Sequence, residues 1–130
     1  MSSFFESRVY YSDTDCEGVA YHGRYLDWAE HARTEWMRSL FGSPSLVAER
    51  LHLVFVVKSI TIDYHRPLHL DDPVIVESTV TEWGAFSFVL RQVVFSSGEK
   101  KATLVVKVAC LDVQSLKPSK LPEEFVSKFS

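Results

Sequence analysis

Residues His22 to Phe41 carry the strongest constraint in this chain. Tyr25, Ala29, Ala32, Trp36 and Leu40 recur there at helical spacing and make one apolar stripe. Trp28 and Met37 widen it, while Arg24, Asp27, His31, Glu35 and Arg38 fall largely opposite. Gly42 suits the position just past a helix end, and Pro44 blocks continuation. A helix of that length spans about 30 Å, the width of a small domain. An apolar face so broad needs a sheet to cover it.

The remaining chain supplies the sheet. Arg8 to Ser12 reads as a short strand. Leu53–Arg66, Val74–Trp83, Ala85–Phe95 and Ala102–Val113 read as four long ones, rich in β-branched and aromatic residues. Asp71-Asp72-Pro73, Gly84 and Ser96-Ser97-Gly98-Glu99 separate them as turns too short for crossover helices. The tail carries Pro118 and Pro122 and then a helical turn through Glu123 to Phe129. The expected class is α+β, a long helix covered by a five-stranded antiparallel sheet. The apolar surface left on such a sheet calls for a second copy, so at least a dimer is expected.

Composition narrows the function. The 130 residues suit one domain spanning the whole chain. The net charge of -3 provides no cationic field for nucleic acid or an anionic membrane. The longest apolar run, Leu51 to Val57, is interrupted by His52 and far too short to span a bilayer. Glu6 and Arg8 stand where the apolar part of a signal peptide would be. Two cysteines, Cys16 and Cys110, make no disulfide framework, and a reducing cytoplasm is the simplest expectation.

The loop Asp13-Thr14-Asp15-Cys16-Glu17-Gly18 is the chemically richest segment. It opens like a calcium loop, but the twelfth position, which must be a bidentate glutamate, is Arg24. The five histidines and two cysteines show no zinc spacing, so no metal is expected. Neither a serine-hydrolase elbow nor a phosphate-binding glycine loop occurs, and Cys16 has no nucleophile motif around it. Two readings of the loop remain. Its acidic residues serve as turn formers and caps. Alternatively, Asp15 faces the outward amides of a helix start, where a polarised carbonyl would be attacked by the carboxylate or by water it activates. Gly18 to Gly23, with Tyr21 and His22, would supply those amides.

The segment Arg8-Val9-Tyr10-Tyr11-Ser12-Asp13-Thr14-Asp15-Cys16-Glu17-Gly18-Val19-Ala20-Tyr21-His22 resembles the signature of the 4-hydroxybenzoyl-CoA thioesterase-like proteins, hotdog-fold acyl-CoA thioesterases. Tyr25-Leu26, Glu30 to Glu35, Phe55-Val56-Val57, Asp63-Tyr64, Arg66-Pro67-Leu68, Leu70-Asp71-Asp72, Val108 to Asp112, Lys117-Pro118 and Leu121-Pro122 extend the resemblance over nearly the whole chain. It is closest to the branch associated with the Tol-Pal system. It implies a hotdog fold, a long central helix wrapped by the sheet, in homodimers or homotetramers with active sites between subunits. It implies Asp15 and His22 as the catalytic pair, the latter through its backbone amide. Gly18, Val19 and Tyr21 would bind substrate beside them, and Val57, Lys58 and Ser59 would line the acyl pocket from the facing subunit. The substrate would be a small to medium acyl-CoA, aliphatic or aromatic, or an acyl group on acyl carrier protein. No cofactor is implied beyond the CoA of the substrate. The chain departs from the pattern at Ala20, where valine is usual. It also has Gly84-Ala85-Phe86 after Glu82-Trp83, where the aromatic-CoA branch has cations. Arg91, Lys58, Lys100 or Lys101 are left to hold CoA phosphates. A hydroxyacyl-thioester dehydratase and a weakly catalytic envelope-biogenesis adaptor are the rival readings.

Overall fold

The computed structural model describes residues 2–129. Strand β1 (Ser2–Arg8) is followed by a 3₁₀ turn (Tyr11–Asp13), helix α1 (Arg24–Phe41) and helix α2 (Pro44–Leu51). Strands β2 (Leu53–Tyr64), β3 (Pro73–Trp83), β4 (Ser87–Ser96) and β5 (Glu99–Asp112) come next, then a final helical turn, α3 (Glu123–Val126). The strands form one five-stranded sheet in the order β1-β3-β4-β5-β2. Every pairing is antiparallel, which leaves β1 and β2 at the edges.

Three elements differ from the sequence reading. The first strand lies at Ser2–Arg8 rather than Arg8–Ser12, and it pairs with β3 along its full length, from Ser2–Thr79 to Arg8–Pro73. Of its side chains only Phe5 packs on the core, so its hydrophobic signal is weak. Asp13 Oδ2 accepts the Tyr10 N–H at 2.8 Å and bends the chain where the strand was expected. Helix α1 is 18 residues and starts at Arg24, because residues 22–23 form the turn that enters it. Pro44 does not merely stop α1. It opens α2, whose N-cap Ser43 accepts the Leu46 N–H at 3.3 Å, the arrangement in which proline suits a first helical turn.

The two-residue connection between β4 and β5, Ser97-Gly98, has φ of +49° and +78°, the twist a tight hairpin requires. In β2 the register slips between Val57 and Ser59, so Lys58 forms a bulge. The core lies between α1 and the inner sheet face: Tyr25, Trp28, Ala29 and Ala32 against Val76, Leu90, Val94, Leu104 and Val106. The tail folds back across one end. Ser119 N–H donates to Cys110 O and Leu121 N–H to Ala85 O, each at 2.9 Å, and Phe125 enters fully buried. Burial also pushes the Cys110 thiol up to about 11, which makes it an inert packing group.

One polar side chain fastens helix to sheet. Gln92, fully buried on β4, donates through Nε2 to Ala29 O and Ser78 Oγ and accepts Arg33 Nη1 at Oε1, all at 2.9 Å. Gln92→Leu removes all three hydrogen bonds and leaves the Ser78 hydroxyl buried without this partner. It is expected to cost about 2–4 kcal/mol, read as a lower denaturant midpoint at unchanged slope.

Candidate active site

The loop entering α1 is held by a dense set of short bonds. Asp15 Oδ1 accepts the Glu17 N–H at 2.8 Å, making an Asx turn. Asp15 N–H donates to Val19 O at 2.9 Å, and Gly18 N–H to Asp15 O at 3.2 Å, with φ of +80° at Gly18. This small hairpin, closed by the Thr14–Ala20 bridge, is fastened to the segment before β3 by Ala20 N–H to Leu68 O and by the Val19–His69 bridge. Arg24 sits 3.6 Å from Asp13, 3.1 Å from Asp27, and donates to Ser12 O. The cation that breaks the calcium pattern thus neutralises the neighbouring carboxylate. Asp15 is exposed and, among the described residues, joins no ion pair.

The turn at residues 21–24 aims two amides outward. Tyr21 O accepts the Arg24 N–H at 2.9 Å. His22 O accepts the Tyr64 hydroxyl at 2.8 Å. In a trans peptide the N–H points opposite its carbonyl. The His22 and Gly23 N–H groups, which follow those two carbonyls, therefore face away from both partners. Among the described residues neither donates a hydrogen bond. Gly23 caps α1 without a side-chain bond, so the helix start adds its partial positive charge at the same place. A Cβ at Gly23 would stand 2.8 Å from Tyr21 Cε2, so the tyrosine ring closes directly over this backbone. Burial raises the Tyr64 hydroxyl above its ordinary range, with a smaller contribution from Tyr21, and keeps it a donor.

Asp15, Gly18, Val19, Tyr21 and His22 are thus brought together on one short loop. Val57, Lys58 and Ser59 are not among them. They lie on β2, with Val57 seven residues before Tyr64, the residue that touches His22. At strand rise that separates the groups by roughly 20 Å. Val57 instead borders a cavity of about 320 Å³ between α1, α2 and β2. Lys58 borders a second, of about 350 Å³, together with Lys107. Lys107 escaped the sequence reading because only the β2–β5 register, Ser59 opposite Lys107, reveals its proximity to Lys58. Of the cations named for CoA phosphates, Lys101 is already bound to Glu99 at 2.6 Å. The sequence places Tyr64 on a strand and in a matching pair of residues, but its role depends on a contact 42 positions away.

Among the described residues no three of histidine, cysteine, aspartate and glutamate gather as a metal site, and no helix is long and apolar enough to cross a membrane.

Comparison with known proteins agrees with this architecture. Residues 9–129 match the family described as the thioesterase-like superfamily. The acyl-CoA thioesterase YbgC of Haemophilus influenzae is 40% identical over 96% of this chain and 92% of its own length. The acyl-CoA thioester hydrolase YbgC of Escherichia coli is 38% identical over 94% of this chain and 91% of its own. The crystal structure of a probable thioesterase from Bartonella henselae superposes with a TM-score of 0.87 at 30% identity, covering 94% of this chain and all of that one. The five-stranded antiparallel sheet with its helix is the hotdog-like fold of these enzymes. With the match running from β1's end to the last described residue, the chain belongs to the thioesterase-like superfamily.

Proposed function

We propose that this chain hydrolyses acyl-CoA thioesters to free acid and CoA. The observation that carries the reading is Asp15, an exposed carboxylate without a cation, on the loop whose end presents the outward His22 and Gly23 amides. A thioester carbonyl hydrogen-bonded to those amides gains stabilisation as its oxygen becomes negative. Asp15 either takes a proton from the water that attacks the carbonyl carbon, or attacks that carbon itself to give a mixed anhydride that water then hydrolyses; in both, the CoA thiolate leaves and the free acid is released. The reading needs no metal or redox group, because CoA arrives with the substrate.

A second copy completes the site in this proposal. The antiparallel β2 edges of two copies, paired about a two-fold axis between Ile60 and Thr61, set Val57 of one opposite Tyr64 of the other. That pairing removes the 20 Å gap within one chain. It also brings Lys58 and Lys107 to the seam with the partner's β2, where CoA phosphates would neutralise them. A homodimer is the smallest active unit, and a homotetramer follows if the outer sheet faces also pair. Placement near the Tol-Pal-associated branch, a single hotdog domain working in the cytoplasm, and acyl carrier protein as an alternative donor belong to the same reading. They rest on the Asp13-Thr14-Asp15 block and the composition.

The test is free-thiol release from short aliphatic, medium aliphatic and aromatic CoA esters. Release from at least one ester is expected. Turnover of a 3-hydroxyacyl thioester without thiol would replace the reading with the dehydratase, and no turnover of any ester would replace it with the adaptor.

A further inference from the structure

The cavity beside α1 has a direction. Its α1 residues run from Glu30, Arg33 and Thr34 through Trp36 and Met37, with Gly42 beyond the helix end, about 18 Å of helix axis. All of these polar side chains stand at the Glu30 end. Past them the walls are apolar: Trp36, Met37, Val47, Leu53, Phe55 and Phe88. A slot with a polar mouth and a hydrocarbon interior suits an acyl chain that enters with its thioester outside. Val57, exposed on the edge strand β2, borders this same cavity, so the slot reaches the edge where the proposed partner loop would sit.

The end of the chain stands behind the apolar wall. Phe125 is fully buried, and its ring centroid lies 5.7 Å from Trp36, 5.5 Å from Phe55 and 5.3 Å from Phe88, three rings that line the cavity. It also lies 5.1 Å from Phe41, the last residue of α1. Phe129 backs it at 4.6 Å. The tail therefore backs the apolar part of the slot from behind those rings. At about 30 Å³ for each water-sized group, 320 Å³ holds on the order of ten such groups.

We infer that this cavity takes the hydrocarbon chain of the acyl group and that Phe125, behind Trp36, Phe55 and Phe88, sets the longest chain it accepts. The inference rests on the acyl-CoA hydrolase reading and names its substrate class: unbranched acyl chains of medium length. Phe125 touches no reacting atom. It determines specificity through the volume of the slot.

Two measurements test it. In the first, kcat/KM is compared for butyryl-, octanoyl- and dodecanoyl-CoA in wild type, Phe125→Leu and Phe125→Ala, with folding checked by thermal melting. The dodecanoyl-to-butyryl ratio should rise on the order of tenfold in folded variants, while butyryl turnover stays within about threefold, as expected when methylenes gain a pocket. An unchanged ratio in a folded variant overturns the inference. The second needs no Phe125 variant, so it tests whether the chain lies in this slot even where both variants unfold. Octanoic acid brominated at its last carbon should quench Trp36 fluorescence more than the acid brominated beside the carboxylate. The difference should vanish in Trp36→Phe. Equal quenching by the two acids overturns the inference. Failure of the hydrolase reading looks different: no ester is turned over at all, while the quenching experiment still reports whether the slot binds a chain.

Discussion

Asp15→Asn is expected to lower thioester hydrolysis by about 10³-fold, the scale of a positioned acid–base or nucleophilic group. The loss should fall on kcat and leave KM nearly unchanged, because the substrate's contacts with amides, cavity and cations are untouched. Stability should barely move. Among the described residues, the one bond Asp15 makes through its side chain is from the Glu17 N–H to Oδ1 at 2.8 Å, and an asparagine carbonyl accepts the same bond. Asp13→Asn is the informative contrast. Asp13 accepts the Tyr10 N–H and lies 3.6 Å from Arg24, so its loss loosens the loop rather than removing the reacting group. Asp13→Asn should therefore retain far more activity than Asp15→Asn. Thiol release under saturating substrate, with melting temperatures for both variants, checks this.

The second large effect separates a backbone amide from the side chain that happens to share its residue. His22 is the first inner residue of the turn closed by Arg24 N–H and Tyr21 O, a position where proline's fixed φ is favoured. His22→Pro deletes the outward N–H and should cost roughly 10²–10³ in kcat, the range for loss of one oxyanion donor. His22→Ala keeps the N–H and deletes only the imidazole, whose contact is the Tyr21 ring at 4.3 Å. It should retain activity within about tenfold, far above the loss for a missing oxyanion donor. Equal, severe losses in both variants would instead assign the chemistry to the imidazole. Rates for the two variants on one ester, with circular dichroism to confirm the fold, give the answer.

The helix and the four long strands were legible because their apolar spacing is strong and local. Tyr25, Ala29, Ala32 and Trp36 at helical spacing and the β-branched alternation of β3 to β5 each point to one structure. Strand β1 was misplaced because its pairing with β3, more than sixty residues away, outweighs a local signal resting on Phe5 alone. Helix α2 was hidden by Pro44, which reads as a stop until Ser43 is seen capping the next turn. The candidate site divided along the same line. The Asp15 loop and helix start are contiguous, so the motif exposes them. Tyr64 aiming the Gly23 amide, Lys107 beside Lys58, and Phe125 behind Trp36 are contacts between distant positions, which no short window contains.

The composite site is tested most directly by combining two lesions in one dimer. Asp15→Asn disables the loop half, and Val57→Arg places a charge in the apolar wall of the β2 half, so each homodimer should be inactive. The two chains, carrying different tags, are co-expressed and the heterodimer is purified through both. If Asp15 of one copy works with Val57 of the other, one of its two sites carries both lesions and the other carries none. The heterodimer should then show about half the wild-type rate of thiol release, as one intact site of a symmetric pair requires. A heterodimer as inactive as its parents would place both halves of the site within one chain and contradict the account.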